Sequence, residues 1–147
     1  MAKHTLSPDS TPFKPPKSDV DMVCAVAVRA LSGIMVVFPD GHPVRGVALA
    51  ELGKLLCVDV DENAVQTKDS TSVDISIHQG GPKFPGGAPR LEMARDFLLQ
   101  ARAELRKGFG SEGGEVGLEV EDQIRNVEKE WMAWKKVVRQ GGLDVER

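Results

Sequence analysis

The residue types that could carry chemistry are sparse in this chain. It has two cysteines, three histidines and no tyrosine in 147 residues. That is too few cysteines and histidines for a zinc knuckle or a disulfide framework. Cys24 and Cys57 both stand in apolar helical stretches, where a cysteine behaves as a small core residue and not as a low-pKa nucleophile or metal ligand. His42 precedes Pro43 at a helix start and reads as a turn residue; His4 and His78 have no scaffold to fix them. Asp59, Asp61 and Glu62 sit in a loop with no apolar pocket to raise a pKa. They also lack the glycine that a calcium loop places sixth. The run GGPKFPGG (80–87) follows no strand and lacks the Gly-Lys-Ser/Thr of a phosphate loop, and its prolines remove donor amides. The turn GFGSEGG (108–114) opens a helix that could present amides to an anion, but Glu112 and Glu115 would repel one. Nothing resembles a nucleophile elbow. No catalytic, cofactor-binding or metal-binding residue is expected in the chain.

What remains is surface. The formal charge is −3 and aromatics are 5% of residues, which excludes a basic, base-stacking nucleic-acid footprint. Arg95, Arg102 and Arg106 lie along one predicted helix, with Arg90 just before it, and the four would favour an acidic protein or peptide partner. Trp131 and Trp134 are three apart and share a helix face. Core packing and a partner-facing aromatic patch both fit them.

Four helices must position these groups. Residues 1–17 contain Pro8, Pro12, Pro15 and Pro16 and read as a disordered tail; 18–140 form a single helical domain and 141–147 a frayed end. Val20 to Phe38 is a helix capped by Ser18 or Asp19, with Met22, Val23, Val26, Ala30, Ile34 and Val37 as its buried face. Its length approaches that of a membrane span, but Arg29 mid-run argues for a soluble helix and no membrane. The second helix runs from Pro43 to about Val58, striped by Val44, Ala48, Leu52 and Leu55 and widened by Leu49 and Leu56. The short connector between them makes the two antiparallel. Residues 59–90 form one long inserted loop; Val73, Ile75 and Ile77 alternate like a strand but have no evident partner strand. The third helix, Leu91 to Lys107, carries Leu91, Ala94, Leu98, Ala101 and Leu105 and closes at Gly108. The fourth, about Glu115 to Arg139, carries Val116, Val120, Ile124, Val127, Trp131, Trp134 and Val138 at alternating three- and four-residue steps.

Two spacings suggest how the helices meet. Leu49-x2-Leu52-Gly53-x2-Leu56 has the spacing of the first tetratricopeptide helix, and Ala94-x3-Leu98 that of the second, with leucine in place of the aromatics. The expected fold class is all-α: antiparallel helical hairpins, tetratricopeptide-like, with an unrelated four-helix bundle as the competing arrangement.

HPVRGVALAELGKLLCVD (42–59) and the stretch from Pro89 to Arg139, above all ELGKLL (51–56) and KGFGSEGGEVG (107–117), resemble the C-terminal helical region of SET-and-MYND domain proteins of the fungal type. That resemblance implies a tetratricopeptide-like arm from a family of S-adenosylmethionine-dependent protein-lysine methyltransferases. The family's Asn-His-Ser-Cys-type segment, late tyrosine and zinc-binding cysteines have no counterparts here, so S-adenosylmethionine and zinc belong only to the full-length family. Three functions follow as expectations. The first is a non-catalytic, intracellular interaction module of the cytoplasm or nucleus. The second is a fragment or in-trans subunit of such a methyltransferase. The third is a structural protein that self-associates through leftover apolar faces.

Overall fold

The computed structural model describes residues 13–62 and 84–142. They form four helices: α1 (Lys17–Val37), α2 (Pro43–Cys57), α3 (Gly87–Phe109) and α4 (Gly114–Gly142). Among the described residues there is no strand, only an isolated bridge between Pro16 and Asp61. The strand-like alternation at Val73, Ile75 and Ile77 lies outside them, as do most of the tail, most of the inserted loop and residues 143–147.

Side-chain register fixes the directions. Gly46 faces Leu105, Gly53 faces Leu98, and Leu56 accepts from Arg90, so α2 and α3 run antiparallel. Arg106 and Arg102 meet Glu121, and Arg95 meets Glu128, so α3 and α4 do too. α2 and α3 share the most extensive contact; α1 flanks α2 and α4 flanks α3, while α1 and α4 do not meet.

The core is a layer of aliphatic side chains: Cys24 and Leu31 from α1, Leu49, Leu52 and Leu56 from α2, Ala94, Leu98, Ala101 and Leu105 from α3, Val120, Ile124 and Val127 from α4. Glycine sets its closeness. A Cβ at Gly53 would lie 2.7 Å from Leu98 Cγ, and one at Gly46 would lie 2.6 Å from Leu105 Cγ. The α3–α4 turn needs left-handed backbone at Gly110, Gly113 and Gly114 (φ 94°, 72° and 69°), which costs L-residues with a Cβ and not glycine.

Five expectations are corrected. α1 has Pro16 at its N-cap and no side-chain cap, so neither Ser18 nor Asp19 serves. α1 buries Val20, Cys24 and Leu31, and turns Met22, Val23, Val26 and Val37 outward. The helix is apolar nearly all round, so periodicity could not choose its face; an ion pair at Asp21, described below, does. On α2, Val44 is exposed and Gly46, Ala50 and Gly53 are buried, because α2 lies between two neighbours. Finally, α3 continues through Gly108 and is capped by Gly110. Gly108 is required for closeness instead: a Cβ there would lie 2.5 Å from the Gly41 carbonyl. α3 and α4 are also longer at both ends than the periodicity suggested.

Candidate functional site

His42 is a helix-start residue. Its Nδ1 accepts from the Val44 amide at 3.2 Å and its ring stacks on Phe38 at 4.4 Å. Among the described residues, no three of His, Cys, Asp and Glu are grouped to hold a metal ion.

The four arginines divide. Arg90 is 4% exposed and faces inward. Its Nη1 donates to Asp21 Oδ1 at 2.8 Å and to the Pro85 carbonyl at 3.3 Å, and its Nε donates to the Leu56 carbonyl at 3.2 Å. Lys17 Nζ meets the other Asp21 oxygen at 2.6 Å. This cluster ties α1, the end of α2, residues 84–85 and α3 together, so Arg90 is a structural lock and presents no surface to a partner. Arg95 pairs with Glu128 at 3.1 Å; Arg102 and Arg106 share Glu121 at 3.2 and 2.9 Å. Each of these three is partly exposed but already has an anion, so the positive row on α3 is largely neutralised by α4. The sequence offered one overlooked signal for the lock: a lone carboxylate, Asp21, at the start of an apolar stretch must find a cation if it is buried.

The unneutralised cations lie elsewhere. At 1.5 Å per residue, the 29 residues of α4 span about 43 Å against about 35 Å for the 23 of α3. The last turns of α4 therefore project past the start of α3 with their core stripe uncovered. Trp134 rests on Gly87 and remains 45% exposed; Met132, Val137 and Val138 are 53–67% exposed. Lys135 Nζ sits 3.6 Å from the centre of the Trp131 ring, a cation–π contact. Ala88, Glu92, Trp131, Trp134, Lys135, Val138 and Arg139 line an open groove of about 460 Å³. Among the described residues, Lys135, Lys136 and Arg139 make no ion pair.

On the other side of Trp134 a second groove of about 710 Å³ is bordered by Cys57, Asp59, Glu62, Arg90, Leu91, Glu130 and Val137 among others. Burial, helped by the Glu130 carboxylate and opposed by Arg90, pushes the Cys57 thiol up to about 11. Burial likewise raises the Cys24 thiol. A thiol so raised is almost wholly protonated at neutral pH and is a poor nucleophile. In a Cys24→Ala variant, alkylation of Cys57 should therefore rise with pH to a midpoint near 11, not near the ordinary value of about 8.5. Because the folded-state value is the higher one, this thiol's contribution to stability is whole below the ordinary value and is lost as pH climbs through about 11. Denaturation curves at pH 8 and above pH 10, with and without Cys57→Ala, check the sign.

Compared with family models, curated proteins and solved structures, the chain gives no match.

Proposed function

We propose that this chain is a non-catalytic helical interaction module with a tetratricopeptide-like arrangement, and that the projecting end of α4 receives an acidic segment of a partner protein. The observation that carries the reading is the coincidence, at one helix end, of an exposed apolar stripe with cations that no carboxylate among the described residues neutralises. Trp131 and Trp134 supply anchors of the kind that dominate interfaces, and Val138 extends the apolar surface beside them; Lys135, Lys136 and Arg139 supply charge complementarity. The open row of helices, in which first and last do not meet, supports a repeat-like array over a closed four-helix bundle. The likeness of 42–59 and 89–139 to the helical arm of SET-and-MYND proteins supports the same reading. On it, methyl-transfer chemistry belongs to a catalytic part outside this chain's own residues, and calorimetry with S-adenosylmethionine should register no binding; micromolar affinity would contradict this.

The two tryptophans are the only ones in the chain, and there is no tyrosine. Intrinsic fluorescence thus reports on this surface alone. Titration with a synthetic acidic amphipathic peptide should shift the emission saturably. Affinity should weaken as salt rises past about 0.1 M, where the Debye length falls to ~10 Å. The double variant Lys135→Glu/Arg139→Glu should weaken it about tenfold or more, equivalent to ~1.4 kcal/mol. An interaction indifferent to both salt and charge reversal would overturn the assignment.

A further inference from the structure

Trp134 stands between two grooves of opposite charge. Its ring rests on Gly87 and borders both. On one side Lys135 and Arg139 outweigh Glu92. On the other, Glu62 and Glu130 border the larger groove. Both are exposed, and neither makes an ion pair among the described residues. The third acid there, Asp59, is already paired with Lys14 at 2.8 Å. Arg90 borders the same acidic groove. Its Nε and Nη1 are occupied by Leu56, Asp21 and Pro85, but its buried Nη2 has no hydrogen-bond acceptor among the described residues. Buried donors are rarely left without one.

Resting on the docking of an acidic segment at the end of α4, we infer that the segment is bipolar: its acidic residues face Lys135 and Arg139, and a lysine or arginine about four residues away lies across Trp134 and faces Glu62 and Glu130. The spacing comes from the helix. Glu130 and Lys135 are five positions apart, about 7.5 Å along the axis and about 140° around it, with Trp134 between them. At a helix radius of about 5.5 Å their charges stand roughly 13 Å apart, which about four extended residues span. Charge favours this occupant over the simpler ones. A wholly acidic segment sets one end against Glu62 and Glu130, like charge against like. A wholly basic one meets Lys135, Lys136 and Arg139 in the same way. The two grooves thus select by repulsion as well as attraction. The Trp134 ring offers the crossing cation an aromatic face and its stem an apolar surface. An extended main chain also brings carbonyl oxygens to the border held by Arg90, the acceptors that Nη2 lacks.

Synthetic peptides on one amphipathic frame, free of tryptophan and tyrosine, test this on the full chain by its intrinsic fluorescence. One is wholly acidic. Two carry a lysine about four residues before or after the acidic cluster, and two carry norleucine there as the uncharged control. One lysine peptide should bind about three- to tenfold tighter than its norleucine control, as expected of one cation against two exposed carboxylates. The gain should shrink as salt rises. It should vanish in Glu62→Gln/Glu130→Gln, two exposed substitutions that should leave the melting temperature unchanged. That variant should bind the wholly acidic peptide as well as wild type or better. Lysine peptides no tighter than their controls, or a gain that survives the double variant, overturn the bipolar segment and leave the acidic docking site standing. If neither the wholly acidic nor the norleucine peptides bind, the docking site itself falls and the bipolar segment with it. A wholly basic peptide that binds tighter than the lysine peptides also overturns it, because the acidic groove would then serve a separate ligand.

Discussion

Replacing Asp21 by alanine is expected to destabilise the fold by about 3–5 kcal/mol, the range for removing one partner of a buried ion pair. Arg90 is 4% exposed, and among the described residues Asp21 is the sole carboxylate it pairs with. Without Asp21 a guanidinium remains inside with, among the described residues, the Leu56 and Pro85 carbonyls as its partners. Arg90→Met should cost less, because Asp21 keeps its 2.6 Å contact with Lys17 and the methionine fills much of the vacated volume. The double variant Asp21→Leu/Arg90→Met should recover most of the loss, since apolar groups of similar size often replace a buried pair without penalty. Urea denaturation of the four chains measures the order directly. If Asp21→Ala proves as stable as wild type, the pair is not what holds α1 to the array.

The second large effect sits at the α2–α3 contact. Leu98 is fully buried, and Leu98→Ala should cost about 2–5 kcal/mol through lost burial and a residual cavity. Gly53→Val alone should cost about 1–3 kcal/mol by overpacking, because its Cβ would lie 2.7 Å from Leu98 Cγ and 3.3 Å from the Ala94 carbonyl. The two changes are complementary in volume. In the Leu98→Ala background the valine methyls occupy the space the leucine left, so the double variant should be more stable than the sum of the single losses predicts. Residues in contact couple in this way. Strict additivity would show that the glycine is not there for closeness.

The parts of this fold that were legible in the sequence are those where one physical signal acts alone. On α3, polar and apolar residues alternate with helical period, and Ala94, Leu98, Ala101 and Leu105 are the buried line. The same holds for Val120, Ile124 and Val127 on α4. Pro43 marked the start of α2, where His42 caps it. On α1 the signal was degenerate: apolar residues on every side leave the buried face to be chosen by a contact 69 residues away, between Asp21 and Arg90. The arginines were visible as charge but not as pairs, because pairing depends on which carboxylates α4 brings opposite them. Trp131 and Trp134 followed the core stripe in sequence, yet Trp134 is half exposed because α3 begins too late to cover it. Helix length, not periodicity, made that difference.

Backbone and indole ¹⁵N–¹H correlation spectra, recorded as the acidic peptide is added, test the central claim most directly. The two indole signals belong to Trp131 and Trp134. The account predicts that both move, together with the amides of Ala88, Glu92, Lys135 and Arg139, while those flanking Arg102 and Glu121 stay still. Shifts centred on the α3 arginines, or indole signals that do not move at saturating peptide, would contradict it.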